Sequence, residues 1–208
     1  QPAGEAAFQI ASVVGIAEPA VGDEEFLHGP IRVQGVVIAH AGGGLAGLVT
    51  ALEALRAGKT VTVVDRDTPE RLGGLALWAF GGMALVGTPL QAKMRIPDTP
   101  GVAWRDWIRF GELNPHEEWP IRWAQYYVEH SRSEVYDWLR NEGIRFAPAV
   151  NWVERDMNGE GNSLPRYHVV WGTSRELVRC MVAALQRATQ NGRLTLLHRH
   201  RINGLDHE

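Results

Sequence analysis

Three consecutive glycines, Gly42-Gly43-Gly44, interrupt an apolar run that opens at Val36-Val37-Ile38-Ala39, and the chain resumes at once with Leu45-Ala46-Gly47-Leu48. A strand that ends on glycines and restarts as a helix opens a βαβ unit, and Gly42, Gly44 and Gly47 are spaced as GxGxxG. The first glycine permits the tight turn, the second lets a pyrophosphate approach the backbone, and the third lets helix pack on strand. The helix start then presents unpaired amide N–H groups and the positive end of its dipole to an anion. Leu45, Leu48, Val49, Leu52 and Leu55 follow at helical spacing, and Gly58 stands where a left-handed C-terminal cap belongs. Thr60-Val61-Thr62-Val63-Val64 is β-branched throughout and ends in Asp65. An acidic residue about twenty positions beyond the glycines accepts hydrogen bonds from the adenosine ribose of a dinucleotide. The plainer alternative is a βαβ unit with no ligand. His40 is the odd member of the first strand, because a histidine in a buried parallel strand needs partners for its ring nitrogens.

At 208 residues the chain suffices for one large domain or one and a half typical ones. A net charge of −3 gives no footprint for nucleic acid or an anionic membrane. No apolar run approaches the roughly 18 residues that span a bilayer, so no transmembrane segment is expected. The single cysteine, Cys180, excludes an internal disulfide framework, suits a reducing, cytoplasmic setting, and reads as a small buried hydrophobe on a helix. Residues 1–34 carry Glu5, Glu18 and Asp23-Glu24-Glu25 without a basic leader, and read as a partly ordered extension rather than a signal peptide.

After Asp65 and Arg66, two glycine pairs fall close together in Leu72-Gly73-Gly74-Leu75-Ala76-Leu77-Trp78-Ala79-Phe80-Gly81-Gly82. Backbone without Cβ atoms can approach a phosphate or a flat ring, so this loop either continues along the same ligand or is a glycine-rich turn beside buried Trp78 and Phe80. From Asp98 the pattern turns helical, with Trp104, Trp107 and Ile108 on one face. A longer helix runs from Pro120 to Gly143 through Ile121, Ala124, Val128, Val135, Trp138 and Leu139, an aromatic stripe read as core. Strands are expected over Arg145 to Val153 and Arg166 to Val170, separated by a turn at Asn158 to Ser163. A helix capped by Thr173 or Ser174 follows, closed at Asn191-Gly192, and Leu194 to His198 reads as a buried strand that restores βα order.

With those residues in hand, the chain resembles the FAD-dependent fumarate reductase/succinate dehydrogenase flavoprotein superfamily, and within it the actinobacterial dehydrogenases similar to 3-ketosteroid Δ1-dehydrogenases. The resemblance rests on Gly42 to Leu48, Val63-Val64-Asp65, Leu72-Gly73-Gly74, Trp78 to Gly82, Gly161 to His168 and Trp171-Gly172-Thr173, and spans Val36 to Leu205. It implies that Gly42, Gly44 and Gly47 hold the FAD pyrophosphate and that Asp65, with Arg66 beside it, meets the adenosine ribose. Gly73 and Gly74 would pass near the pyrophosphate and ribityl, Ala79, Gly81 and Gly82 near the flavin, and the backbone at Arg201-Ile202 near the adenine. Two positions depart from the family: Leu75 replaces a usual polar residue and Ala79 a common serine. Family members continue for some hundreds of residues, so the first part of an FAD domain and the start of a substrate cap are expected here.

The implied fold class is α/β, a Rossmann-like FAD-binding βαβ core with an inserted α+β cap segment. Its divisions would be an extension at 1–34, FAD-binding βαβ and glycine loops at 35–97, cap at 98–190 and a return strand at 191–208. The implied activity is hydride transfer between flavin N5 and a carbon–carbon bond of a hydrophobic, steroid-like small molecule. The alternative is a non-catalytic nucleotide-binding or partner-binding domain, completed by another chain or in a homo-oligomer. No catalytic residue is assigned. Arg166, Tyr167 and His168 are the one cluster nominated, for orienting a carbonyl and moving a proton, against the plainer reading of a polar strand edge bonded within the cap. His198 and His200 would share one face of a strand but lack the further ligands of a metal site.

Overall fold

The computed structural model describes residues 14–18, 37–114, 116–155, 161–188 and 192–206, and for 14–18, 37–41 and 203–206 it describes the backbone. The rest of the expected N-terminal extension, Asn158 to Glu160 of the expected turn, Asn191 and the His40 side chain lie outside the described residues. The chain divides into two compact units, Gln1–Leu77 with Met181–Glu208, and Trp78–Cys180.

The first unit holds the βαβ opening. Strand β2 (Val37–Ala41) leads through the glycines into helix α1 (Leu45–Arg56), and β3 (Thr60–Val64) returns parallel to β2. Gly58, at φ 79°, is the left-handed residue that releases the chain from α1. Leu48, Ala51, Leu52 and Leu55 of α1 are buried at helical spacing, and Val61 to Val64 of β3 are buried on both faces, as in a covered parallel strand. β3 also pairs in parallel with β7 (Leu194–Leu197), giving the order β2-β3-β7, one half of a doubly wound sheet in which β2 and β7 are the edges among the described residues. Within the expected extension, β1 (Val14–Glu18) forms a strand that pairs antiparallel with β8 (Arg201–Asp206), with an irregularity at Ile16/Ala17.

The second unit is built on an antiparallel sheet of order β4-β6-β5, from Gly82–Ala84, Tyr167–Val170 and Phe146–Asn151. Because β4 pairs with β6, the chain joins this unit by Trp78, earlier than the break after residue 97 read from the sequence. Its helices are α2 (Pro89–Lys93), α3 (Pro100–Phe110), α4 (Glu118–His130), α5 (Trp138–Asn141) and the first half of α6 (Thr173–Ala188). The single long helix expected from Pro120 is interrupted, since Ser131–Asp137 winds as a π-helix between α4 and α5. There the Ser131 hydroxyl accepts a hydrogen bond from Val86 N at 3.1 Å, a tertiary contact that no helical periodicity announces. Trp104 and Trp107 pack against Val86, Ala103 and Val128 as core, but Trp119 and Trp123 stand exposed on α4. No helix among the described residues is long and apolar enough to cross a membrane.

Candidate functional site

The glycine turn is built as its spacing demands. Gly42 has φ 104°, a left-handed value open to glycine, and its N–H donates to Val64 O at 2.8 Å, tying the turn to the end of β3. Gly44 caps α1 in extended conformation without a side-chain hydrogen bond, and its carbonyl accepts from Leu48 N at 3.0 Å. No acidic side chain stands in the first turn of α1. A Cβ built at Gly42 or Gly44 would meet nothing within 4 Å, so the backbone there faces open space. Gly47 is buried on α1, where a side chain would hold helix off strand.

The second glycine pair lies against the first. Gly73 N–H donates to Gly43 O at 2.7 Å, Gly44 and Gly73 form an isolated parallel bridge, and Gly74 sits at φ 56° with its Cβ direction 3.7 Å from Gly44 Cα. Two segments nominated separately from the sequence therefore form one bare backbone surface.

Asp65 is 8 % exposed, and its carboxylate accepts hydrogen bonds from Gly43 N and, at 2.7 Å, from Asp67 N. A carboxylate has about four acceptor positions, so each oxygen keeps one. The Asp65 backbone is held as firmly, its N–H donating to Leu197 O at 2.8 Å and its carbonyl accepting from His200 N at 2.9 Å. Sequence reasoning missed this return turn. Arg199, at φ 58°, donates its N–H to Asp67 O at 3.0 Å, so the segment expected to continue as strand with two imidazoles on one face instead turns back onto the Asp65 loop. The His200 Nδ1–H donates to His198 O at 2.6 Å, and no cluster of metal-ligating side chains exists among the described residues. Arg66 is exposed beside Asp65, and Ile202 lies on β8, two residues past this turn. Leu75, in the place of a polar residue, is 88 % exposed.

The remaining nominated glycines belong to the second unit. Gly81 has φ 83°, and a Cβ there would lie 2.6 Å from Ser174 N. Gly82 is packed against the Tyr167 ring so closely that a Cβ would overlap it. Ala79 is exposed, as are Trp78 and Phe80 at 80 % and 63 %, so the reading that placed these two rings in a buried turn fails. Arg166 and His168 are interior. The Arg166 guanidinium, 4 % exposed, pairs with Asp98 at 2.8 Å and Asp106 at 2.6 Å, and Gln91 Nε2–H donates to Asp98 at 2.9 Å. Burial raises the Asp106 carboxyl, but hydrogen bonds from Ser163 and Arg166 outweigh it and hold the group below its usual range. His168 is fully buried. Its Nδ1–H donates to Arg166 O at 2.6 Å, Nε2 accepts from the Thr88 hydroxyl at 2.8 Å, and burial pushes its pKa down. Arg166 and His168 of the cluster nominated for catalysis are thus bonded within their own unit, while the Tyr167 ring lies against Gly82. Cys180, expected buried, is half-buried, 3.5 Å from Glu176 Oε1 and 3.8 Å from the Arg179 guanidinium.

Comparison with known proteins places this geometry. The FAD binding domain family matches residues 36–208. A KsdD-like steroid dehydrogenase of Mycolicibacterium smegmatis is 39 % identical over 168 residues, 79 % of this chain and 30 % of that protein. A counterpart from Mycobacterium tuberculosis is also 39 % identical, over 169 residues, 79 % of this chain and 29 % of that protein. The chain thus spans about a third of the length of the curated relatives it matches. Among solved structures, a 3-ketosteroid-Δ4-(5α)-dehydrogenase from Rhodococcus jostii RHA1 superposes with a TM-score of 0.60 at 24 % identity, over 79 % of this chain and 37 % of that one. A flavocytochrome c3 fumarate reductase gives 0.59 at 21 % identity, over 78 % and 26 %. Both share the α/β flavoprotein fold.

Proposed function

This chain belongs to the FAD binding domain family, with FAD as its cofactor, and we propose from that premise that it is the cofactor-holding part of an oxidoreductase acting on a hydrophobic, steroid-like molecule. The observation that carries the proposal is the bare surface made by Gly42 to Gly44 and Gly73-Gly74, with the buried Asp65 carboxylate beside it. The open, uncapped first turn of α1 fits a diphosphate, and the amides there donate to it. Asp65 fits the adenosine ribose through the acceptor positions that Gly43 and Asp67 leave, and its charge repels a 2′-phosphate. Arg66 flanks the ribose, Gly73 and Gly74 follow the diphosphate toward the ribityl, and the Ile202 backbone meets the adenine. In the second unit, Ala79, Gly81 and Gly82 are assigned to the flavin. The bound flavin supplies a hydride acceptor or donor at N5. The curated relatives, named as steroid dehydrogenases, support a carbon–carbon bond of a steroid-like molecule as its partner. The same proposal places the protein in the cytoplasm.

A second reading is favoured by where Arg166 and His168 lie. With both engaged inside their unit, the described residues contain no assigned base, and a nucleotide-binding domain completed by another chain or a second copy accounts for that. The edge position of β2 supplies a place for such completion. Titration of the protein with FAD, followed by assay of steroid-dependent reduction of an artificial acceptor, separates the two. The first reading expects a yellow protein absorbing at about 450 nm that turns over. Flavin binding without turnover until a complementing chain is added supports the second, and failure to bind FAD defeats both.

A further inference from the structure

We propose that the second unit carries a binding cavity of its own, for a small neutral fused-ring alcohol. The cavity has a volume of about 270 Å³, and all its lining residues belong to that unit. Packed interiors leave few voids larger than a water molecule. A cavity of about 150 Å³ takes one benzene ring, so this one accommodates two fused rings. Val86, Ala103, Trp107 and Phe110 form apolar walls that hold water poorly, while Asp106 and Arg166 supply a polar end.

The chemistry of that end selects the ligand. Asp106 and Asp98 already hold the cations Arg166 and Arg109, and Glu154 adds an exposed carboxylate to the lining, so an anion is disfavoured and the interior carboxylates call for no further cation. Arg166 donates to Asp98, Asp106 and Asn162, which uses four of its five N–H groups. Asp106 Oδ2 accepts from Ser163 N, Ser163 Oγ and Arg166, whereas Oδ1 accepts from Arg109, leaving it one acceptor position. A hydroxyl on an apolar ring system meets that position.

The proposal does not rest on FAD, and its test uses no redox readout. The full chain, loaded with FAD where it binds, is titrated calorimetrically with 2-naphthol and with naphthalene. Saturable one-to-one binding of 2-naphthol is expected, roughly tenfold tighter than naphthalene. Ala103→Leu, which pushes methylenes into the cavity, weakens it roughly tenfold, and Phe110→Ala, at a half-exposed wall position that leaves folding intact, roughly fivefold. A melting curve confirms that each variant is folded, and Phe110→Ala decides the matter should Ala103→Leu unfold. No saturable heat, or equal affinity in wild type and the folded variants, overturns the site. Equal affinity for naphthalene and 2-naphthol overturns the ligand class.

Discussion

Asp65→Asn isolates the one carboxylate on which the cofactor proposal turns. In the native protein two backbone N–H groups, of Gly43 and Asp67, converge on that carboxylate. Asparagine keeps the shape but offers a single acceptor oxygen, so its amide N–H₂ confronts one of the two donors. One charge-assisted bond, worth about 1.5–3 kcal/mol, is lost, and the other falls to the neutral value of about 1 kcal/mol. The summed cost is about 2–5 kcal/mol, which at about 2–4 °C per kcal/mol for a chain of this size lowers Tm by roughly 4–20 °C. That loss is read on the protein without FAD. A fluorescence titration with FAD then reads the second effect, because ribose hydroxyls donating to an amide oxygen instead of a carboxylate weaken binding roughly tenfold. An unchanged melting temperature refutes the account of how Asp65 holds the glycine turn. A lowered melting temperature with unchanged FAD affinity refutes its assignment to the ribose.

Three further outcomes follow from the second unit. Arg166→Met leaves Asp98 buried without its cation and Asp106 with Arg109 alone, and lowers stability by about 3–5 kcal/mol in urea unfolding. Arg166→Lys recovers only part of this, because one ammonium cannot reproduce the forked pairing with both carboxylates. Burial depresses the folded-state pKa of His168 below 6.5, so the unfolded chain binds more protons in the window beneath 6.5. Its contribution is complete above 6.5 and declines as the pH falls toward the folded pKa, a slope visible in melting curves and flattened by His168→Gln. Gly81→Ala places a Cβ 2.6 Å from Ser174 N at a φ of 83° and lowers stability by at least about 2 kcal/mol with or without cofactor, measured by chemical denaturation.

The β2-α1-β3 unit, its glycine turn and Asp65 were legible because each is written in near neighbours: residue period, β-branching and glycine at positions that need positive φ. The partners of polar side chains were not. Arg166 and His168 could be nominated as catalytic groups beside the plainer reading of bonded strand residues, and their partners Asp98, Asp106 and Thr88 come from as far as 80 positions away. The π-helical turn at Ser131–Asp137 and the Arg199 turn onto the Asp65 loop were hidden for the same reason. Trp78 and Phe80 show the limit from the other side, since one of the two readings of their loop buried both rings and the fold left them exposed. Local backbone geometry is a property of short stretches, so the sequence alone determined that this chain opens a dinucleotide-binding unit. Which donors and acceptors meet depends on distances across the folded chain, so only the tertiary structure decided how Asp65 is held and which groups close around Arg166 and His168.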